Sequence, residues 1–180
     1  MNIILYLFFS LSVQEIDSLA LYKFRGFLMS PISDYSFKIL SKSANTEVIL
    51  LGSLCYWSFS QEKDFTCMKS YTAGLITSSV VLQSIKYVTN RRRPDGETNR
   101  SNSSFPSGHS AVAFYFASFY SELYPKYRAP LYLWAGGVAL SRVYLRRHWP
   151  TDVLAGGVLG WFAGKFFYRH KDWFKSISIF

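Results

Sequence analysis

Five apolar segments, cut apart by short charged connections, constrain this chain more than any other feature: Thr46 to Phe59, Met68 to Val88, Ser107 to Tyr124, Ala129 to Leu145 and Thr151 to Tyr168. The last three are rich in small residues (Ala135-Gly136-Gly137, Ala155-Gly156-Gly157, Gly160, Ala163-Gly164), which let helices approach closely in a bundle. Trp134, Trp149 and Trp161 near segment ends fit an interfacial aromatic belt. Each segment is near the lower limit of the ~20 residues that cross a bilayer, and a soluble all-α core would show the same runs. The predicted architecture is all-α, a multi-helix transmembrane bundle of about five or six spans once an N-terminal segment is counted.

That segment, Asn2 to Val13, is too short to cross a bilayer by itself. It lacks a positively charged leader and a clear cleavage site, so a retained membrane segment is expected rather than a signal peptide. Asp17 to Ser43 sets Leu19, Tyr22, Phe24, Phe27, Leu28 and Met29 against Lys23, Arg25 and Lys38, and is broken by Gly26 and Pro31. It predicts short amphipathic helices lying in an interface, or one packed on a soluble core. A length of 180 residues suits one domain, with an N-terminal part over 1–45 and a helical core over 46–170. Apolar residues make up 49% and aromatics 19%, favouring buried or membrane helices. A mean hydropathy of only +0.08 counts against the membrane.

The formal charge of +9 suits anionic partners: phosphate groups, acidic lipid surfaces or nucleic acid. No base-stacking or zinc-finger pattern accompanies it, so nucleic acid is not expected. Cys55 in an apolar run and Cys67 in a polar connection have no spacing for a disulfide framework or a zinc site.

Three short stretches carry candidate chemistry, over residues 86–94, 106–109 and 141–152. Pro150 fits the first turn of a helix, placing His148 just outside that helix and Asp152 within reach of it. A carboxylate on one ring nitrogen leaves the other free as nucleophile or base. Arg142 ends the preceding apolar segment, so the turn brings its guanidinium near the imidazole. A basic loop with a helix-capping Asp is the plainer alternative. Lys86 and Arg93, seven residues apart, share a helical face before Pro94 ends the helix, while Arg91 and Arg92 read as a basic surface cluster. Ser107 is a good N-cap, Gly108 lets a ligand approach the backbone, and His109 falls in the first turn of a helix whose free N–H groups suit an anion.

In order, the stretches read Lys-x6-Arg-Pro, Pro-Ser-Gly-His and Ser-Arg-x5-His-x3-Asp. This resembles the type-2 phosphatidic acid phosphatase superfamily, which includes membrane lipid phosphatases, soluble acid phosphatases and vanadium haloperoxidases. The matching positions are Lys86, Arg93, Pro94, Ser107, Gly108, His109, Arg142, His148 and Asp152. The resemblance implies that His148 attacks phosphorus to form a phosphohistidine, with Asp152 orienting the ring and stabilising its charge. It implies that His109 protonates the leaving alkoxide and then activates water. Lys86, Arg93, Arg142, the Ser107 hydroxyl and the Gly108 N–H would hold the phosphate oxygens. No metal-binding carboxylate cluster is visible, so neither a metal nor another cofactor is expected.

Expected substrates are lipid phosphate monoesters or diphosphates. The compact chain and short 95–105 connection look like small bacterial lipid phosphatases, including those acting on lipid A 1-phosphate, with phosphatidylglycerophosphate, phosphatidate and undecaprenyl diphosphate as further candidates. The partners are then an anionic phospholipid or lipid A-type substrate and the membrane itself, with no obligate protein partner. A secreted acid phosphatase acting on small esters is the alternative. If the segments alternate across a bilayer, the motif-bearing ends share one side. Lys63, Lys69, Lys126, Arg128, Arg169, Lys171 and Lys175 then fall on the other, and the positive-inside tendency places them in the cytoplasm. The motifs would then face the periplasm from a multi-pass inner-membrane protein, with Asp17 to Ser43 helping to form a lipid entrance.

Overall fold

The computed structural model describes residues 3–59 and 65–176, with side chains outside the description for residues 3–12, 52, 55, 56, 58 and 59. Lys63 and the Cys55 side chain therefore lie outside the described residues. The described residues are helical, without strands: α1 (Ile3–Leu28), α2 (Pro31–Ser43), α3 (Thr46–Phe59), α4 (Phe65–Thr89), α5 (Gly108–Leu123), α6 (Arg128–Tyr144) and α7 (Pro150–Arg169). Short 3₁₀ turns punctuate the connections.

The N-terminal region departs from expectation. The apolar run from Ile3 and the first part of the amphipathic stretch, as far as Leu28, form one continuous helix, α1, and Gly26 sits inside it without breaking it. The expected break falls at Pro31, which starts α2 behind a Ser30 side chain that accepts the Ser33 N–H. α4 begins at Phe65, so Cys67 is a buried helix residue and not part of a connection.

α5 is the central element, with α7 lying directly against it. Gly156, Gly160 and Gly164 recur every fourth residue of α7 and face the backbone of Ser107, Ala111 and Tyr115 on α5. A Cβ at any of these glycines would fall well inside contact distance of a carbonyl oxygen. The pairing is in register and parallel, so the two helices begin at the same end of the bundle. α4 and α6 run the other way and finish there: the Ser70 hydroxyl at the start of α4 donates to the Phe167 carbonyl near the end of α7. Tyr71, Tyr115 and Phe119, together with Ile49 and Leu75, fill the core at the far end.

Trp134, expected in an aromatic belt, is half-buried. It packs edge-on against Phe116 and donates to the Ser43 hydroxyl, joining α6 to α5 and α2. Large apolar side chains do cover the outside of α4, α6 and α7, with Ile76, Val80, Leu133, Leu154, Val158 and Phe162 all exposed. Yet among the described residues no helix is long and apolar enough to cross a membrane. α5 and α6 have 16 and 17 residues. The longer α4 is diluted by Thr, Ser, Gln and Lys, and α7 by glycines and terminal charges. The expected five or six spans are thus not visible in the helices one by one.

Candidate active site

α6 ends at Tyr144, and the chain turns sharply because Arg146 takes a left-handed φ of 56° while the Arg147 and His148 N–H groups both donate to the Arg142 carbonyl. Pro150 then opens α7. The turn carries His148 inward until it is only 2% exposed. Its Nδ1 lies 2.7 Å from the Ser104 carbonyl oxygen. A carbonyl only accepts, so the ring proton sits on Nδ1 and the lone pair on Nε2. Burial foremost, then the positive charges of Arg142, Arg93 and Lys86, hold the His148 pKa well below its ordinary 6.5. The imidazole is therefore neutral.

Asp152 does not make the direct hydrogen bond to His148 expected from their spacing. Its Oδ2 is 3.9 Å from Nδ1, too far for a hydrogen bond though near enough to favour positive charge on the ring. The carboxylate is engaged elsewhere. Oδ2 accepts from the Ser104 hydroxyl at 2.5 Å and, reaching back as a helix cap, from the Trp149 N–H at 2.8 Å. Oδ1 accepts from Arg91 at 2.5 Å. Ser104 thus links the two, with its carbonyl on the imidazole and its hydroxyl on the carboxylate.

Arg91 is not a surface cation. One nitrogen of its guanidinium also donates to Thr151, and the other pairs with Asp17 at 2.6 Å, under the ring of Trp149. Asp17, 1% exposed, in turn accepts the Thr151 N–H at 3.0 Å and its hydroxyl at 2.5 Å. Asp17 on α1 therefore holds the first turn of α7. The sequence carried no signal for this, because Gln14, Glu15 and Ser18 make the surroundings of Asp17 polar. Arg92, by contrast, is exposed as expected.

Three cations surround His148. Lys86, in the last turn of α4, is buried and donates to the Ser103 carbonyl at 2.5 Å. Arg93 is buried on the connection after α4, where it donates to Asn102 and to the Arg147 carbonyl. Arg142 donates from Nη1 to the Ser41 hydroxyl at 2.5 Å, while its buried Nε has no hydrogen-bond partner among the described residues. Buried donors are rarely left unpaired, and this one suits a ligand oxygen.

At the start of α5, the Ser107 side chain accepts the Ser110 N–H and hydroxyl, which leaves its own hydrogen to give. A Cβ at Gly108 would meet no atom within 4 Å, so the space beside its Cα is open. The Nε2 of His109 lies 3.0 Å from Asn45 Oδ1, which puts that proton on Nε2. Electrostatically, His109 and His148 both sense Lys86, Arg93 and Arg142. The eight residues singled out in the sequence therefore lie at one end of the bundle. Ser104, Asp17, Arg91, Ser41 and Asn45 are additions that the motifs did not include.

A family model described as "PAP2 superfamily" matches residues 68–176. A lipid A 1-phosphatase of Porphyromonas gingivalis is 34% identical over 103 residues, which is 55% of this chain but only 22% of that relative. The crystal structure of Aquifex aeolicus LpxE superposes with a TM-score of 0.72 at 25% identity, covering 84% of this chain and 94% of that one. A transmembrane PAP2-type phosphatidylglycerolphosphate phosphatase from Bacillus subtilis superposes with a TM-score of 0.70 over 98% of this chain and 96% of that one, and at 23% identity shows the shared fold.

Proposed function

Because this chain belongs to the PAP2 superfamily, we propose that it hydrolyses a lipid phosphate monoester or diphosphate at a membrane face, through a phosphohistidine intermediate and without a metal ion. One observation carries the proposal. A neutral His148 has Nδ1 committed to the Ser104 carbonyl and its free Nε2 among three buried cations. That is what an in-line attack on a phosphoryl group requires: a lone pair aimed at phosphorus and fixed charge around the equatorial oxygens.

In this reading the phosphate takes hydrogen bonds from Arg142 Nε, Lys86, Arg93, the Ser107 hydroxyl and the Gly108 N–H. Nε2 of His148 bonds to phosphorus as the ester P–O bond breaks, and His109, as an imidazolium with its Nε2–H kept on Asn45 Oδ1, gives its Nδ1 proton to the departing alkoxide. Positive charge left on the His148 ring faces Asp152 at 3.9 Å. Water, losing a proton to His109, then attacks phosphorus, breaking the P–N bond and restoring His148. Inorganic phosphate and the dephosphorylated lipid are the products.

The exposed apolar flanks of α4, α6 and α7 support contact with lipid rather than water. Lys69, Lys126, Arg128, Arg169, Lys171 and Lys175 lie toward the end opposite the site, which supports an orientation with the site on the outer, periplasmic face of an inner membrane. Among substrates, lipid A 1-phosphate is favoured by the name of the Porphyromonas gingivalis relative. The test is phosphate release by detergent-extracted protein from lipid and small soluble esters, with chelator present. Turnover of lipid phosphates well above small esters, lost in His148→Ala, is expected. Equal turnover of small esters would favour the secreted acid phosphatase alternative, and activity surviving His148→Ala would end the covalent route.

A further inference from the structure

A groove of about 700 Å³ does not contain His148 but is lined by its chain neighbour Trp149. Its floor is made by the two motif loops, through Pro94, Arg146 and Trp149, each one or two residues from Arg93 or His148. Its wall is one face of α1, where Ser18, Tyr22 and Arg25 follow at helical spacing. Asp17 clamps that wall in place through Thr151 and Arg91.

The groove is cationic. Lys23, Arg25 and Arg146 line it, and no carboxylate does. Arg146 donates to the Pro94 carbonyl and has further donors to offer. Arg25 Nε is buried with no hydrogen-bond partner among the described residues, and neither Lys23 nor Arg25 is in an ion pair there. Three cations in a groove whose lining holds no carboxylate are matched by an anion brought in from outside. Tyr22, Met29 and Trp149 supply apolar surface beside the charges.

We infer that this groove binds a second anionic group on the same lipid whose phosphate is attacked at His148, so that the protein selects lipid phosphates carrying two separated anions over those carrying one. The inference rests on the lipid phosphatase function proposed above. A phosphate held against Arg142 and His148 leaves the rest of its lipid at the mouth formed by Trp149 and Pro94. A neighbouring anion on that lipid then enters beside Arg25, Lys23 and Arg146. An acyl chain alone would leave Lys23, Arg25 and Arg146 beside hydrocarbon, which is unfavourable.

The experiment compares two synthetic lipid phosphates, alike in acyl chains and in the scissile phosphate. One bears a second phosphate on its headgroup, and the other bears a hydroxyl there. The full chain is assayed in neutral detergent micelles, which remove any general attraction to an anionic surface. Wild type should favour the doubly anionic lipid by about tenfold or more in kcat/KM, as expected for one or two charge-assisted hydrogen bonds. Lys23→Gln/Arg25→Gln should bring the ratio close to one, mainly through KM, with turnover of the singly phosphorylated lipid unchanged. Exposed Lys23, replaced alone by Gln, is expected to fold normally and to lower the ratio part of the way. A wild-type ratio near one, or a ratio that survives both variants, would overturn the inference while leaving the hydrolase reading standing. No turnover of either lipid would remove that reading, and this inference with it.

Discussion

Nδ1 of His148 rests 2.7 Å from the Ser104 carbonyl oxygen, so a backbone acceptor, and not a carboxylate, fixes the direction in which the imidazole points. Asp152, at 3.9 Å, is left to balance charge on the ring. Orientation and charge balance can therefore be separated by mutation. Asp152→Asn keeps a cap for Trp149 but loses the negative charge, and should lower kcat on the order of 10²-fold. Ser104→Ala keeps the carbonyl and should lower kcat about tenfold, through a loosened Asp152. Steady-state phosphate release with a trapped phosphoenzyme would check this. Equal losses in the two variants would mean that the roles are not divided in this way.

Burial and three neighbouring cations depress the His148 pKa in the folded protein below its ordinary 6.5. The unfolded chain then binds a proton between 6.5 and that lower value, whereas the folded chain does not. Stability is therefore present above about pH 6.5 and is lost as pH falls below it, at up to about 1.4 kcal/mol per pH unit for one proton. Thermal unfolding midpoints in detergent should fall more steeply from pH 7 to pH 5 in wild type than in His148→Gln. For the same reason, protonation of His148 does not set an acid limb of kcat/KM near 6.5. Parallel midpoint curves for the two proteins would show that His148 takes up its proton in the fold as readily as in the unfolded chain.

The candidate site was legible where its residues fall in short contiguous stretches. A proline-started helix after His148 and a capped helix at Ser107 follow from spacing within a dozen positions, whereas Lys86 and Arg93 do not share the expected helical face, because α4 ends at Thr89 and Arg93 lies on the connection beyond it. The segments that became α3 to α7 were also legible, because apolar runs bounded by charges mark helices well. What was not legible depends on pairs distant in sequence. Asp17 with Thr151, Arg142 with Ser41, and His109 with Asn45 are each more than sixty positions apart. Arg91 and Arg92 are chemically identical neighbours, and only the fold turns one inward. Gly26 misled because glycine weakens a helix by about 1 kcal/mol, less than packing along α1 can offset.

Asp17 and Arg91 form a clamp from α1 to the first turn of α7, with Arg91 bridging two buried carboxylates. Lysine is a point charge and cannot span both. Arg91→Lys should therefore cost about 3 kcal/mol of stability, within the range for breaking a buried pair, and lower kcat about tenfold with KM little changed. Asp17→Asn should cost a similar amount, and the double variant should cost clearly less than the sum, because the two residues act on each other. Chemical denaturation of the four proteins gives the coupling directly. Additive losses would mean that Asp17 and Arg91 support the site separately.

The glycine face of α7 makes the sharpest contrast. Gly160→Ala places a methyl group against the Ala111 backbone, and Gly156→Ala places one against Ser107 beside the site. Either must push α7 off α5, an overpacking cost of about 1–3 kcal/mol or more. Gly156→Ala should also reduce kcat, because Ser107 and Asp152, joined by the Ser107 N–H at 3.0 Å from the Asp152 carbonyl, would move apart. Gly136 on α6 is helical as well, but a Cβ there meets nothing within 4 Å. Gly136→Ala should therefore stabilise by about 0.5–1 kcal/mol and leave activity unchanged. Measured together, the three variants tell close approach from helix propensity. If Gly156→Ala and Gly160→Ala were as stable as Gly136→Ala, α7 would not lie on α5 as described, and the site that depends on their shared starting end would lose its frame.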